Sequence, residues 1–203
     1  MDKKLFAEQL AAFTNSFLRD NPKHFLFDNL QQYKDVQHSM EMLQSYEALL
    51  ARAREGSVID VGSGVGYAKV ISKNVYTANP PIDYWVQVEQ IFNVESDFAC
   101  RDCAQHLRWI GTNQQYDFVI LHRFLPWANQ IADPKIMLNV FTDVCRILKP
   151  NGKLLYTPIS TEGLQTTGWK HINTGMHTFE LNRQQLYDAI NTANKILQAR
   201  LPT

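Results

Sequence analysis

Three glycines at alternate positions, Gly62, Gly64 and Gly66, follow directly on the apolar run Val58-Ile59-Asp60-Val61. A short run of this kind reads as a strand covered on both faces, as in parallel sheets. Tyr67, Ala68, Val70 and Ile71 then carry helical spacing, so the glycines mark a tight strand-to-helix turn. Glycine lets such a turn adopt positive φ and leaves a stretch of backbone that no Cβ shields from a ligand. In an open parallel sheet, ligands bind beyond the carboxyl ends of the strands, near the point where strand order reverses. Free N–H groups at the helix start suit an anionic ligand group.

The remaining pattern predicts strands over Tyr84 to Glu89, Phe98 to Arg101, Phe118 to His122 and Lys153 to Thr157. Between the last two, Ile136, Met137, Val140, Phe141, Val144, Ile147 and Leu148 share one face of a helix that Lys149-Pro150-Asn151-Gly152 stops. Alternating strands and helices imply right-handed crossovers and an α/β fold with a doubly wound, mostly parallel sheet. Residues 1–55 have a different texture. One helical stripe runs through Leu5, Phe6, Leu10, Phe13, Phe17 and Leu18 and breaks at Asn21-Pro22. A second runs through Leu30, Tyr33, Val36, Met40, Leu43, Leu50 and Ala53 and stops at Gly56. The chain thus divides into an N-terminal helical extension or lid, 1–55, and a ligand-binding domain, 56–203.

Glycine spacing selects among nucleotide-binding turns. A dinucleotide fingerprint counted from Gly62 needs glycine where Tyr67 stands, and the P-loop pattern G-x-x-x-x-G-K-[ST] is absent. A nicotinamide-linked oxidoreductase therefore has the wrong spacing. What stands is D-x-G-x-G-x-G over Asp60 to Gly66, which resembles motif I of the class I S-adenosylmethionine-dependent methyltransferases. Tyr116-Asp117-Phe118-Val119-Ile120-Leu121-His122 looks like that family's fourth strand. Arg146-Ile147-Leu148-Lys149-Pro150-Asn151-Gly152-Lys153-Leu154-Leu155 is similar to its R-x-L-K-P-G-G-x-L segment, with Asn151 for the first glycine. Asn also tolerates left-handed turns. The resemblance covers residues 56 to 158 and implies the Rossmann-like methyltransferase fold, S-adenosylmethionine as cofactor and methyl transfer as activity.

The resemblance also implies roles for particular residues. Gly62, Ser63, Gly64 and Gly66 would lie against the cofactor, with Asp60 facing its methionine end. Glu89, taken as the end of strand two, would accept hydrogen bonds from both ribose hydroxyls, with Asn79-Pro80-Pro81 as a loop insertion before that strand. Asp102 would receive the adenine amino group, or is a plain turn aspartate. Ile91 would pack on the adenine. His122 would stand near the transferred methyl, with a pKa suited to act as general base if the acceptor arrives protonated, or is a histidine satisfied at a strand end. Arg123, Trp127, Tyr156 and Thr157 would line the acceptor pocket, unless Trp127 is a hydrophobic plug.

Composition bears on the substrate. Lys plus Arg and Asp plus Glu each total 20, so no net field gathers nucleic acid. His122-Arg123-Phe124-Leu125-Pro126-Trp127 lacks the Asn/Asp-Pro-Pro-aromatic motif of amino-directed methyltransferases of nucleic acids. A small-molecule acceptor is the expectation that remains. No apolar stretch suits a membrane span, and three cysteines make a poor disulfide framework, so a reducing cytoplasm is expected. Cys100 and Cys103, with His106 nearby, read as redox or zinc ligands or as small apolar residues, and without a second ligand pair no metal is expected.

The carboxyl end departs from the family. Asn182 and Gln185 resemble a capping box opening a helix with Leu186, Ile190, Ile196 and Leu197, after which no strand follows. Trp169 to Ile172 and Met176 to Leu181 could form a hairpin before that helix. The sheet is expected to be rearranged or shortened there, which raises an alternative: a non-catalytic, methyltransferase-like subunit or scaffold that needs a partner chain or a second copy.

Overall fold

The first 52 residues form helices because their apolar stripes and capping residues agree. The computed structural model describes residues 1–99, 114–123, 134–158 and 168–199. Helix α1 (Lys3–Asp20) begins where the Asp2 carboxylate accepts a hydrogen bond from the Leu5 N–H at 2.8 Å. It buries Phe6, Leu10, Phe17 and Leu18 but leaves Leu5 48% exposed, so its inner face is narrower than the sequence suggests. A short helix α2 (Phe27–Leu30) and a 3-10 turn (Gln31–Lys34) lead to α3 (Val36–Arg52), capped by Asp35. Helix α3 turns Met42, Leu43, Tyr46 and Leu49 inward.

The α/β part follows as β1 (Val58–Val61), α4 (Tyr67–Ile71), β2 (Tyr76–Asn79), α5 (Asp83–Phe92), β3 (Phe98–Ala99) and β4 (Tyr116–His122). It continues as α6 (Pro134–Ile147), β5 (Leu148–Thr157), β6 (Lys170–Asn173), β7 (His177–Asn182) and α7 (Arg183–Ala199). The seven strands lie in the order β3-β2-β1-β4-β5-β7-β6. Pairs from β3 to β5 are parallel, and β7 runs antiparallel to both β5 and β6. Side chains alternate across the sheet. Val119, Leu121, Leu154 and Tyr156 share a core with α6 and α7, while Val58, Ile120 and Leu155 share the other with α1 to α5.

One strand is displaced from its expected place. Residues 84–89 lie within α5, and strand two is Tyr76–Asn79. Trp85-Val86-Gln87-Val88-Glu89 alternates like a strand, but Tyr84, Val88 and Phe92 recur every fourth residue and all three are buried. Tyr84 packs its ring against Phe17 at 5.1 Å, so the helical stripe finds a core partner in α1 that a strand would not reach. Asn79-Pro80-Pro81 is the junction between β2 and α5, not an insertion ahead of a strand.

The carboxyl end is rearranged but not shortened. The expected hairpin supplies β6 and β7, and α7 comes last. The capping box closes in both directions: Asn182 N–H donates to Gln185 Oε1 and Gln185 N–H donates to Asn182 Oδ1, each at 2.9 Å. Among the described residues no helix is long and apolar enough to cross a membrane. Cys100, Asp102, Cys103, His106 and Trp127 lie outside the described residues, as do the side chains of Ile136, Met137, Ile196 and Leu197.

Gly66 shows how tightly the first turn is built. Its φ is 78°, and a Cβ added there would stand 2.8 Å from Val94 Cγ2. Gly66→Ala is expected to cost about 1–2 kcal/mol for the left-handed backbone alone. That lowers the melting temperature by about 2–4 °C per kcal/mol in a chain of this size. Calorimetry should show part of the loss recovered by adding Val94→Ala. An unchanged melting temperature in Gly66→Ala would mean the turn relaxes freely.

Candidate functional site

The turn between β1 and α4 is made of left-handed glycines, with φ of 72° at Gly62, 57° at Gly64 and 78° at Gly66. Such angles cost a side-chain-bearing residue and cost glycine nothing. The turn is held against the end of β2. Gly62 and Ser63 N–H groups donate to the Ala78 carbonyl at 2.8 and 3.2 Å. Asn79 completes the attachment: its amide donates to the Gly64 carbonyl at 2.7 Å, and its Oδ1 accepts from the Gly64 N–H at 3.2 Å.

Asp60, in β1, is fully buried. Its Oδ1 accepts a hydrogen bond from the Tyr46 hydroxyl of α3 at 3.3 Å, and its Oδ2 has no partner among the described residues. Burial pushes the carboxyl up to about 7, against which the Tyr46 hydrogen bond works. His122, the last residue of β4, is also buried and lies edge-on to Tyr46, with ring centroids 4.7 Å apart. Neither of its ring nitrogens has a partner among the described residues. Burial, with the Arg123 charge beside it, pushes the imidazole down to about 3. The ring is therefore neutral near pH 7 and gains little by taking a proton, so its pKa is not the one expected for general-base work.

Arg123 follows in a left-handed conformation, φ 49°, with its N–H donating to the Thr157 carbonyl at 2.7 Å. Its charge acts on Tyr33, His38, Tyr67 and His122. The Tyr33 hydroxyl stands 3.6 Å from the place a Cβ on Gly64 would take, so the 3-10 turn reaches over the glycines. Thr157 is buried, and its hydroxyl shares a 2.7 Å hydrogen bond with Thr178.

Other expectations are corrected by placement. Glu89 does not end strand two. It sits on α5, where its carboxylate accepts from Asn79 Nδ2 at 3.1 Å and from the Ser96 hydroxyl at 2.6 Å. The end of strand two is Asn79, whose two amide hydrogens are taken by Gly64 and Glu89. Tyr156 belongs to the opposite core, 1% exposed, its ring 5.8 Å from Phe141 and its hydroxyl without a partner among the described residues. It does not line the α3 side with His122. Ile91 is 56% exposed on α5. Asp60, Ser63, Gly64, His122 and Arg123 are brought to one edge of the sheet. Tyr46 and Asn79 join them unforeseen; Tyr46 carried no local signal, and Asn79 was hidden by the misplaced strand.

No model of a known protein family matches the chain, and no curated protein sequence does. Solved structures do. A protein of Pyrococcus horikoshii OT3 matches over 77% of this chain and 82% of its own, at 16% identity and TM-score 0.51. TrmN from Thermus thermophilus matches over 68% of this chain at 15% identity and TM-score 0.50. Phosphoethanolamine N-methyltransferase 1 from Haemonchus contortus, solved with phosphoethanolamine and S-adenosylhomocysteine, matches over 98% of this chain at 13% identity and TM-score 0.52. The chain spans 47% of the length of TrmN and 55% of that of the Haemonchus enzyme, about half of each. Together with the strand order, these likenesses give the chain the fold of the class I S-adenosylmethionine-dependent methyltransferases.

The buried carboxyl sets a pH dependence. Asp60 is raised from 3.8 to about 7 by folding, so the folded chain holds its proton longer and stability falls as pH rises between those values. Asp60→Asn removes that loss while keeping an acceptor for Tyr46. Thermal unfolding of both proteins should coincide near pH 4 and separate towards pH 7. The gap should favour the variant by something on the order of 4 kcal/mol, at about 1.4 kcal/mol per pH unit. His122 contributes the opposite slope, since its lowered pKa makes stability fall towards acid, but it does so in both proteins. A pH-independent gap would show that Asp60 is solvated.

Proposed function

We propose that this chain is an S-adenosylmethionine-dependent methyltransferase acting on a small molecule. One observation carries the reading. Three left-handed glycines join β1 to α4 at the sheet edge where buried Asp60 and His122 keep unpartnered polar atoms. Buried polar atoms without partners are costly, so such a cluster asks for a ligand with donors to offer. The Asp60 Oδ2 suits the ammonium of the cofactor's methionine end, and the bare turn suits close approach of its adenosyl part. In this reading Asp102 holds the adenine amino group, Trp127 borders the acceptor, and residues 1–55 act as a helical cap.

When bound, the cofactor supplies a sulfonium-activated methyl for in-line displacement. The chain's residues then orient and exclude water rather than move protons. His122, neutral at pH 7, hydrogen-bonds an acceptor that arrives with a free lone pair, so that no proton has to be abstracted before transfer. Tyr46 and Tyr33 close the edge from the helical side. Balanced charge and the small-molecule substrate of the Haemonchus enzyme favour a small acceptor over nucleic acid.

A second reading, a non-catalytic subunit or scaffold, is favoured by Asn79. A carboxylate offers several acceptor sites to a ribose diol, whereas the Asn79 oxygen already accepts from Gly64 and both its amide hydrogens are used. Calorimetric titration with S-adenosylhomocysteine tests the cofactor pocket, and methyl transfer by the isolated chain would end the scaffold reading. Binding by the wild type, abolished in Gly64→Val because a β-branched residue does not fit φ 57°, supports the enzyme. No heat at millimolar ligand leaves the scaffold.

Charge placement tests the sugar side. In Asn79→Asp with Glu89→Gln the negative charge moves from the helix to the strand end without creating a like-charged pair. The double variant is expected to bind S-adenosylhomocysteine about tenfold more tightly, the worth of one charge-assisted hydrogen bond at about 1.5 kcal/mol. Unchanged affinity would place the sugar elsewhere.

A further inference from the structure

We infer that Arg123 receives an anionic group, a carboxylate or phosphate, carried by the methyl acceptor. This rests on the methyltransferase reading and adds the substrate's chemical class to it. Arg123 is half-buried, and among the described residues no carboxylate pairs with it. Among the other half-buried arginines, Arg146 pairs with Asp143 at 3.4 Å and Arg183 donates to the Leu148 carbonyl at 3.2 Å. A partly desolvated guanidinium without a counter-ion is costly, and its planar fork matches carboxylate and phosphate oxygens in pairs.

Its position is fixed by the backbone. The left-handed φ of 49° and the 2.7 Å hydrogen bond to the Thr157 carbonyl hold Arg123 at the end of β4, next to His122. A left-handed arginine is disfavoured relative to an ordinary backbone. Such strain persists where the surrounding structure imposes it, commonly at ligand clamps. The groups within reach of the charge are neutral hydrogen-bonders, the phenols of Tyr33 and Tyr67 and the imidazoles of His38 and His122. Tyr33 and His38 lie together, ring centroids 6.4 Å apart, and Tyr33 reaches the glycine turn. Asp35 and Glu41 also act on His38, but more weakly than Arg123 does. One fixed cation among neutral donors, beside the neutral imidazole assigned to orient the acceptor, makes an anion subsite.

The test uses benzoate and inorganic phosphate as probes, with benzamide as the uncharged control, all at one ionic strength held by chloride. Thermal shifts of the full chain are read with and without S-adenosylhomocysteine. Wild type should be stabilised by the anions and not by benzamide. Arg123→Gln should weaken anion binding at least tenfold while its affinity for S-adenosylhomocysteine stays within about threefold, and Arg123→Lys should keep part of the anion response. The inference is overturned if the anions do not bind, or if binding survives in Arg123→Gln. It is also overturned if Arg123→Gln weakens S-adenosylhomocysteine as much as the anions, since Arg123 would then serve the cofactor's own carboxylate. Failure of the wild type to bind S-adenosylhomocysteine removes the methyltransferase reading and the acceptor assignment with it. Arg123-dependent anion binding in the cofactor-free arm would then still identify the subsite itself.

Discussion

Between Val61 and Tyr67 the chain leaves the sheet and begins a helix in five residues. It does so through backbone angles that residues with side chains resist. Two carbonyl-directed N–H groups and the Asn79 amide tie that turn to the end of β2, so the glycines are not a loose loop. The parallel order around β1 then sets what the turn faces. β4 lies on one side and brings His122 level with the glycine edge, and β2 lies on the other and brings Asn79. Everything assigned to the candidate site is positioned from this attachment.

Helix α3 closes the same edge and is anchored at its middle and at its last residue. Its middle places Tyr46 between Asp60 and His122. Its last residue, Arg52, pairs with Glu180 of β7, which Lys153 of β5 also meets at 3.0 Å. Burial raises the Glu180 carboxyl, but these two cations outweigh it and hold the group down to about 2. The paired cluster is a staple between helix and sheet. The Asp60 and His122 atoms beside Tyr46 have no partner among the described residues, as is also true of Ser45 Oγ and the Tyr116 and Tyr156 hydroxyls; what sets the first two apart is their place beside the glycine turn.

Where neighbouring residues determine the outcome, the sequence was readable. Val58 to Val61, the glycine turn, β4, the end of α6 and the Asn182–Gln185 capping box all fall where local chemistry puts them. Strand two was not readable, because Trp85 to Glu89 alternates convincingly and the deciding contact, Tyr84 on Phe17, crosses 67 positions of chain. With it Glu89 moves from the strand end to α5, and Asn79, to which it hydrogen-bonds, ends the strand instead. The pKa of His122 was equally out of reach, since burial under α3 and the adjoining Arg123 set it, and neither follows from the residue's own segment.

The most direct measurement is a crystal structure grown with S-adenosylhomocysteine. The account predicts the adenosyl group along the Gly62 to Gly66 backbone and the ligand's ammonium within hydrogen-bond distance of Asp60 Oδ2, with Arg123 left free of it. Density elsewhere, or an edge still sealed by Tyr46 and Tyr33 at saturating ligand, would contradict it and leave the fold without the activity.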